Sequence, residues 1–249
     1  MGAGHRPDPA LGIFETLLVL DGRPVELEAH IERIAASLAA AYGAELPDLA
    51  RDLVRERARG LQLGRVRLTV APSEDGLRCQ AVAATVDPSI VFPERGADLR
   101  TVELSGGLGG DKWADRSALP SGDDGSVPLL LDGDEVLEAG WANVFAAAGG
   151  RLVTPVADGR ILPGVVRAAT LEIAAAAAIE VEQRRLDRDE LLGADEVFLT
   201  GSVRGVGPAR SLDGVPLGSG STLTRRIAGD LKQRWRRQRE PVDSAGSPR

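Results

Sequence analysis

The segment Val136-Leu-Glu138-Ala-Gly-Trp-Ala-Asn143-Val-Phe145, followed by the glycine turn Leu162-Pro-Gly-Val-Val-Arg167, decides how this chain is read. The first segment is an apolar run with a single carboxylate, Glu138, set inside it. Its plain reading is a strand whose glutamate faces solvent. The alternative is a carboxylate held in an apolar wall for its chemistry. The second segment opens a helix running toward Ala178. Free amides at Val165 and Val166 would face any bound anion there, and the helix dipole favours a phosphate. An ordinary strand-to-helix connection has the same pattern.

Outward from this centre, strands are predicted near Leu99–Leu104, Val127–Leu131, Glu135–Glu138, Asn143–Ala147 and Leu152–Thr154. Further strands follow at Val181–Arg185, Val197–Leu199 and Val206–Ser211. Asp187 and Glu190 form a capping box for a short helix, and an amphipathic helix spans about Ser221 to Arg237. Toward the amino terminus, Ile13–Leu20 alternates as a strand, Asp21-Gly22 is a hairpin turn, and Pro24–Leu27 is the returning strand. Glu28–Tyr42 carries a helical stripe of Ile31, Ile34, Leu38 and Ala41, ended by Gly43. Leu49–Ala58 is a second helix, and Arg65–Val70 and Arg78–Thr85 are strands. Prolines 88 and 93 break the pattern. The expected organisation is an N-terminal lobe over 1–87, a linker over 88–96, a C-terminal lobe over 97–237 and a disordered tail over 238–249. The class is α+β with two lobes, without the alternation of a Rossmann or TIM fold.

Composition narrows the chemistry. The chain has 249 residues, 43% hydrophobic and 27% charged, an ordinary globular balance. No apolar run approaches the ~20 residues of a membrane span, and no signal-peptide pattern opens the chain. Cys79 is the only cysteine, which suits a reducing, cytoplasmic setting. A net charge of -7 argues against a general nucleic-acid binder. Two histidines and one cysteine speak against a His/Cys zinc site. A Walker loop fails because Asp111 precedes Lys112 and Trp113 follows it, and there is no Ser-His-Asp arrangement.

The basic residues carry the sharpest signal. Of 30 Lys+Arg only Lys112 and Lys232 are lysine. An amine that persists where arginine has replaced the rest is a candidate for chemistry that guanidinium cannot perform. Lys232 has a sufficient role on a solvated helix. Lys112 lies in Ser105-Gly-Gly-Leu-Gly-Gly-Asp-Lys-Trp-Ala-Asp-Arg116, expected to be a flexible stretch with no structural need for an amine. A surface lysine remains the alternative.

Taken together and in order, these segments resemble the fold-type IV, pyridoxal-phosphate-dependent class IV aminotransferases, a family that includes aminodeoxychorismate lyase. Gly12-Ile-Phe-Glu-Thr-Leu17 is similar to the family's opening segment, and His30-Ile-Glu-Arg33-Ile to its His-Leu-x-Arg-Leu helix. Glu138 to Phe145 and Leu162 to Arg167 match its strand and its phosphate-binding helix start, and Ala194-Asp-Glu-Val-Phe-Leu-Thr200-Gly-Ser202 its later strand. The resemblance implies a smaller N-terminal lobe and a larger C-terminal pseudo-barrel lobe. It makes Lys112 the residue that binds pyridoxal 5'-phosphate covalently and Glu138 the partner of its ring nitrogen. Arg33, the Val165 and Val166 amides and Ser202 then hold the phosphate. Thr16 joins Lys112 and Glu138 in the catalytic set, and Thr16 and Arg116 orient the substrate. The amino terminus lacks the extra strand common in the family, and Trp113 and Trp141 depart from its pattern. Ser117 stands where branched-chain aminotransferases carry a tyrosine.

The expected activity is a lyase forming 4-aminobenzoate and pyruvate from 4-amino-4-deoxychorismate, a step of folate synthesis. The second reading is an aminotransferase of a branched-chain or D-amino acid with a 2-oxoacid, and a third is a cofactor-free scaffold. A homodimer acting on a small molecule, apart from nucleic acid and membrane, is carried over with the resemblance.

Overall fold

The computed structural model describes residues 6–120 and 125–238. The N-terminal lobe starts with β1 (Ile13–Leu20), a tight turn, β2 (Arg23–Pro24), α1 (Leu27–Tyr42), α2 (Leu49–Ala58), β3 (Leu63–Ser73) and β4 (Gly76–Thr85). These strands form an antiparallel sheet in the order β2-β1-β3-β4. In β3, Val66, Leu68 and Val70 are buried while Arg65 and Arg67 between them are exposed, the period-two pattern of a half-buried strand. The buried face packs with Ile13 and Leu17 of β1 and with Ile34, Leu38 and Val54 of the two helices.

The returning strand is shorter than its sequence suggests. It stops at Pro24, which has no N–H for the ladder, and Glu26 takes a left-handed conformation (φ 51°) from which α1 begins at Leu27. β3 is longer than expected because its polar residues alternate onto the solvent face instead of ending the strand.

The C-terminal lobe contains β5 (Ala97–Glu103), β6 (Val127–Asp132), β7 (Glu135–Ala139), β8 (Asn143–Ala148), β9 (Arg151–Thr154), α3 (Val165–Ala176), β10 (Val181–Gln183), α4 (Arg188–Leu192), β11 (Glu196–Gly201), β12 (Gly205–Leu212), β13 (Val215–Pro216) and α5 (Thr222–Arg237). Its sheet follows the order β10-β9-β8-β11-β12-β5-β6-β7, with β13 beside β12. Ala139 and Ala142 exchange backbone hydrogen bonds of 2.8 and 3.1 Å, so β7 at one end of that path returns beside β8. The sheet thereby closes on itself around Leu99, Leu129, Val136, Val144 and Leu199. Outside it, Phe145 and Phe198 stack with centroids 5.1 Å apart beneath α3 and α5. Two sheets with few helices make this an α+β, two-lobed fold.

α3 begins at Val165, later than expected, because Pro163 and Gly164 stay extended ahead of it and Gly164 is its N-cap. The strand expected over Val181–Arg185 ends at Gln183. No helix among the described residues is long and apolar enough to cross a membrane. Of the tail expected over 238–249, residues 239–249 lie outside the described residues, while Gln238 caps α5 and accepts a 3.0 Å hydrogen bond from the Glu26 N–H.

Candidate active site

The lysine stretch is anchored, not flexible. Phe14 N–H donates to the Lys112 carbonyl at 2.9 Å and Ala114 N–H to the Gly12 carbonyl at 2.8 Å, so this segment adds an antiparallel bridge to β1. Glycine is required where it docks: Gly107 has φ +69°, and a Cβ there would lie 2.1 Å from the Arg160 carbonyl oxygen. Trp113 packs edge-on to Tyr42 in the N-terminal core. Neighbouring residues of an extended segment face opposite ways, and Lys112 lines the cleft between the lobes. Its Nζ lies 5.2 Å from the Phe14 ring centroid. Burial, opposed by Glu15 and helped by Arg33 and Arg116, lowers its pKa from 10.5 to about 8. Lys232 is exposed on α5.

Glu138 shares the cleft. It is 5% exposed, and its Oε2 accepts the Leu162 N–H at 3.3 Å. Burial raises its pKa from 4.5 to about 7, against the Leu162 N–H and the charges of Arg116, Lys112 and Arg33. Asn143 Nδ2 donates to the Leu162 carbonyl at 2.9 Å, and a Cβ on Gly164 would fall 2.0 Å from Asn143 Oδ1. The two ends of the β7–β8 closure therefore hold the Leu162–Gly164 turn from both sides. That fixes the start of α3, where the Val165 and Val166 amides open onto the cleft.

Arg33 reaches the same place from α1. Glu15 accepts its Nε at Oε1 and its Nη2 at Oε2, each at 2.7 Å, while Nη1 donates to the Pro163 carbonyl at 3.0 Å. His30 Nδ1 lies 2.7 Å from Glu15 Oε2. Burial works to raise the Glu15 pKa, but Arg33 and His30 outweigh it and hold the carboxyl well below the usual range. Burial, opposed by Glu15, lowers that of His30. From β11 and its turn come Thr200 and Ser202. Thr200 is 2% exposed, and its Oγ1 is buried without a hydrogen-bond partner.

Beyond this inner cleft is an outer cavity of about 350 Å³. Arg65, Arg67, Arg116 and Arg204 line it together with Phe14, Thr16, Ile90 and Trp141, and among the described residues no Asp or Glu does. Lys112, Arg116 and Ser202 border both spaces. The structure thus brings Lys112, Glu138, Arg33, Arg116, Val165, Val166 and Ser202 to one cleft. Thr16, half-buried on β1 opposite Arg67, does not line that cleft but meets Lys112, Arg116 and Ser202 in the outer cavity.

Residues 12–101 and 107–212 match the amino-transferase class IV family. The chain belongs to that family. It is 32% identical over 153 residues, 61% of this chain, to a Synechocystis protein named a probable branched-chain-amino-acid aminotransferase. The match spans 48% of that protein, about half its length. Among solved structures, 4-amino-4-deoxychorismate lyase from Pseudomonas aeruginosa is 27% identical with a TM-score of 0.74, covering 89% of this chain and 90% of that one. The PLP-bound form of a hypothetical aminotransferase from Mycobacterium tuberculosis shares the fold, with a TM-score of 0.78 over 94% and 95% of the two chains at 21% identity. These are enzymes of a family whose chemistry depends on pyridoxal phosphate.

Membership of this family implies that cofactor, and the donor set of the cleft fits it. A dianionic phosphate needs several donors. The cleft offers Arg33, two free helix amides and the unpartnered Thr200 hydroxyl, beside an amine and a buried carboxyl. Thr200 is the residue that sequence reasoning passed over in favour of its neighbour Ser202. Its signal was an isolated hydroxyl within Val197-Phe-Leu-Thr200, a run otherwise fully apolar. Glu15 was also missed as a site residue. It stands in a strand that is otherwise nearly all hydrophobic, the same kind of signal that singled out Glu138.

Proposed function

We propose that this chain is a pyridoxal-phosphate-dependent lyase that converts 4-amino-4-deoxychorismate to 4-aminobenzoate and pyruvate. Bound cofactor supplies an aldehyde for an amine and an electron-accepting ring. The protein's part starts with the Lys112 amine, which would be the covalent anchor for the cofactor and whose lowered pKa leaves a neutral fraction near pH 7 able to take a proton at Nζ. Glu138, in an apolar wall, would face the ring nitrogen, and Arg33, the Val165 and Val166 amides, Thr200 and Ser202 would hold the phosphate.

The observation that carries the substrate assignment is the outer cavity. Among the described residues it has four guanidinium groups and no carboxylate in its lining, which matches a substrate bearing two carboxylates. A branched-chain amino acid brings one carboxylate and an apolar side chain, so in the second reading only the acceptor, 2-oxoglutarate, would supply two carboxylates to that charge. The sequence similarity to the Synechocystis protein favours the second reading, transamination of a branched-chain or D-amino acid with a 2-oxoacid. Assembly as a homodimer rests on the family resemblance, and a cytoplasmic location on the single cysteine, Cys79.

The test is to incubate cofactor-loaded protein with 4-amino-4-deoxychorismate and no 2-oxoacid. Formation of 4-aminobenzoate and pyruvate is expected. Rapid transamination of leucine or D-alanine with 2-oxoglutarate, without aminobenzoate, would establish the second reading instead.

A further inference from the structure

Two residues of the outer cavity are fixed against one another. The Arg204 guanidinium lies 4.7 Å from the centroid of the Trp141 ring. Arg204 is the last residue of a three-residue hairpin loop closed by the pair Gly201 and Gly205. Phe92 N–H donates to its carbonyl at 2.8 Å. Gly205 has φ +66°, and a Cβ there would lie 2.6 Å from the Phe92 ring, so the loop is clamped from below. Trp141 sits in the closure between β7 and β8. The Gly140 N–H beside it is bound to the Pro128 carbonyl at 2.9 Å. Its ring edge fills the space that glycine leaves at position 201, where a Cβ would come within 3.1 Å of Trp141 Cε3.

Such a pair has a definite chemical property. Stacking on an aromatic ring uses the flat face of a guanidinium and leaves the N–H donors around its edge available. Arg204 has no carboxylate partner among the described residues, and it is half-buried, so its charge lacks a counter-ion in a partly desolvated place. Burial also lowers its pKa. Arg67 makes the corresponding stack on Phe14, with its guanidinium carbon 3.7 Å from the ring centroid. The Lys112 amine approaches that same ring. Phe14 is thus shared by Arg67, the amine and Arg116, whose guanidinium carbon lies 5.6 Å from its centroid, whereas among the described residues Arg204 is the cation over Trp141.

We propose that Arg204, backed by Trp141, is the seat for the carboxylate carried on the substrate's six-membered ring, with Trp141 acting as a positioning residue that keeps the guanidinium aligned for a two-point contact. The ring in this assignment rests on the lyase reading; a seat for a planar carboxylate does not.

The probe is 4-aminobenzoate, titrated calorimetrically into the cofactor-loaded enzyme, with aniline as the analogue that lacks the carboxylate. Arg204→Met is expected to weaken 4-aminobenzoate about tenfold or more, the scale of one lost charge-assisted contact, while aniline binding stays the same. Trp141→Leu should reproduce part of that loss and Trp141→Phe, which restores a flat face, should recover most of it. In turnover, KM for the substrate should rise by more than kcat falls. Unchanged 4-aminobenzoate affinity in Arg204→Met, or no binding to the parent enzyme, would overturn the inference. Product formation by the parent enzyme tests the lyase reading separately, since loss of carboxylate binding in Arg204→Met supports the seat whichever reaction is catalysed.

Discussion

Glu15 and Arg33 form a two-point ion pair across the floor of the cleft, Nε to Oε1 and Nη2 to Oε2, each 2.7 Å long. The carboxylate is 1% exposed and the arginine side chain 10%, so the fork fixes the guanidinium in a place where solvent does little to weaken the contact. With two of its nitrogens bound to Glu15 and Nη1 directed to the Pro163 carbonyl, Arg33 is held against the turn that starts α3. Glu15 would thus act through Arg33 on the proposed phosphate site.

Replacing Glu15 by Gln puts an amide N–H against one arginine nitrogen and removes the neutralising charge. Affinity for pyridoxal phosphate should fall about tenfold or more, as for loss of a charge-assisted contact. Affinity for pyridoxal, which lacks the phosphate, should change little. Equal losses for the two ligands would show that Glu15 supports the fold generally and not the phosphate site. Because the Glu15 carboxyl is held below its ordinary value, its contribution to stability is present above the unfolded pKa of 4.5 and is lost only as pH falls well below it.

Lys112 should be the residue that captures the cofactor. Borohydride reduction of the loaded protein followed by peptide mass mapping should place the adduct on Lys112 and leave Lys232 unmodified. With a pKa near 8, the neutral fraction of this amine falls about tenfold for each pH unit below that value. The rate of cofactor capture by cofactor-free protein should therefore climb with pH and level off above about 8. A flat profile from pH 6 to 9 would contradict the assignment. Lys112→Arg should abolish both adduct and turnover.

The lysine and Glu138 were legible in the sequence because each is anomalous where it stands, one amine among arginines and one carboxylate in an apolar strand. The strands and helices were legible because their periods are clean in β3, α1 and α2, whereas β1 is buried on both faces, so the alternation expected over Ile13–Leu20 is not seen and only its β-rich composition marks it. The anchoring of the lysine segment was not, since it depends on main-chain hydrogen bonds to Gly12 and Phe14 that leave no mark on side-chain pattern. The return of β7 beside β8 was hidden for the same reason. Arg65 and Arg67 are two among many arginines, and only the pairing of β3 with β1 brings them beside Phe14 and Thr16. Thr200 and Ser202 are both hydroxyls two positions apart, and burial alone separates the orphaned one from its half-exposed neighbour.

Glu138 gives a prediction in pH. Its carboxyl is raised to about 7, so the folded protein holds this proton more tightly than the unfolded chain does. The resulting stability is fully present below about pH 4.5, the unfolded value, and is lost as pH rises through 7. The full difference corresponds to about 3 kcal/mol. In cofactor-free protein, Glu138→Gln should be more stable than the parent at pH 8 and close to it at pH 5, by urea denaturation. Its turnover when loaded should fall about a hundredfold or more, because an amide cannot keep the ring nitrogen protonated. Equal stability at pH 8 would mean that the buried carboxyl is better solvated than its surroundings indicate.

Thr200 gives the last prediction, in which one substitution moves two measurements in opposite directions. Its Oγ1 is buried with no hydrogen-bond partner among protein groups, a situation that costs about 1–3 kcal/mol for a polar atom. Valine has nearly the same shape and no hydroxyl. In the cofactor-free protein, Thr200→Val should therefore leave stability unchanged or raise it by about 1 kcal/mol, as read by thermal or urea denaturation. If the hydroxyl is there to meet a phosphate oxygen, the same variant should bind pyridoxal phosphate about tenfold more weakly while its affinity for pyridoxal stays near that of the parent. Ser202→Ala is the comparison, because Ser202 borders both the cleft and the outer cavity and is half-buried. It should show no gain in stability. A Thr200→Val protein that loses stability and keeps its cofactor affinity would assign the hydroxyl to the fold. The opposite pattern would place it in the phosphate site.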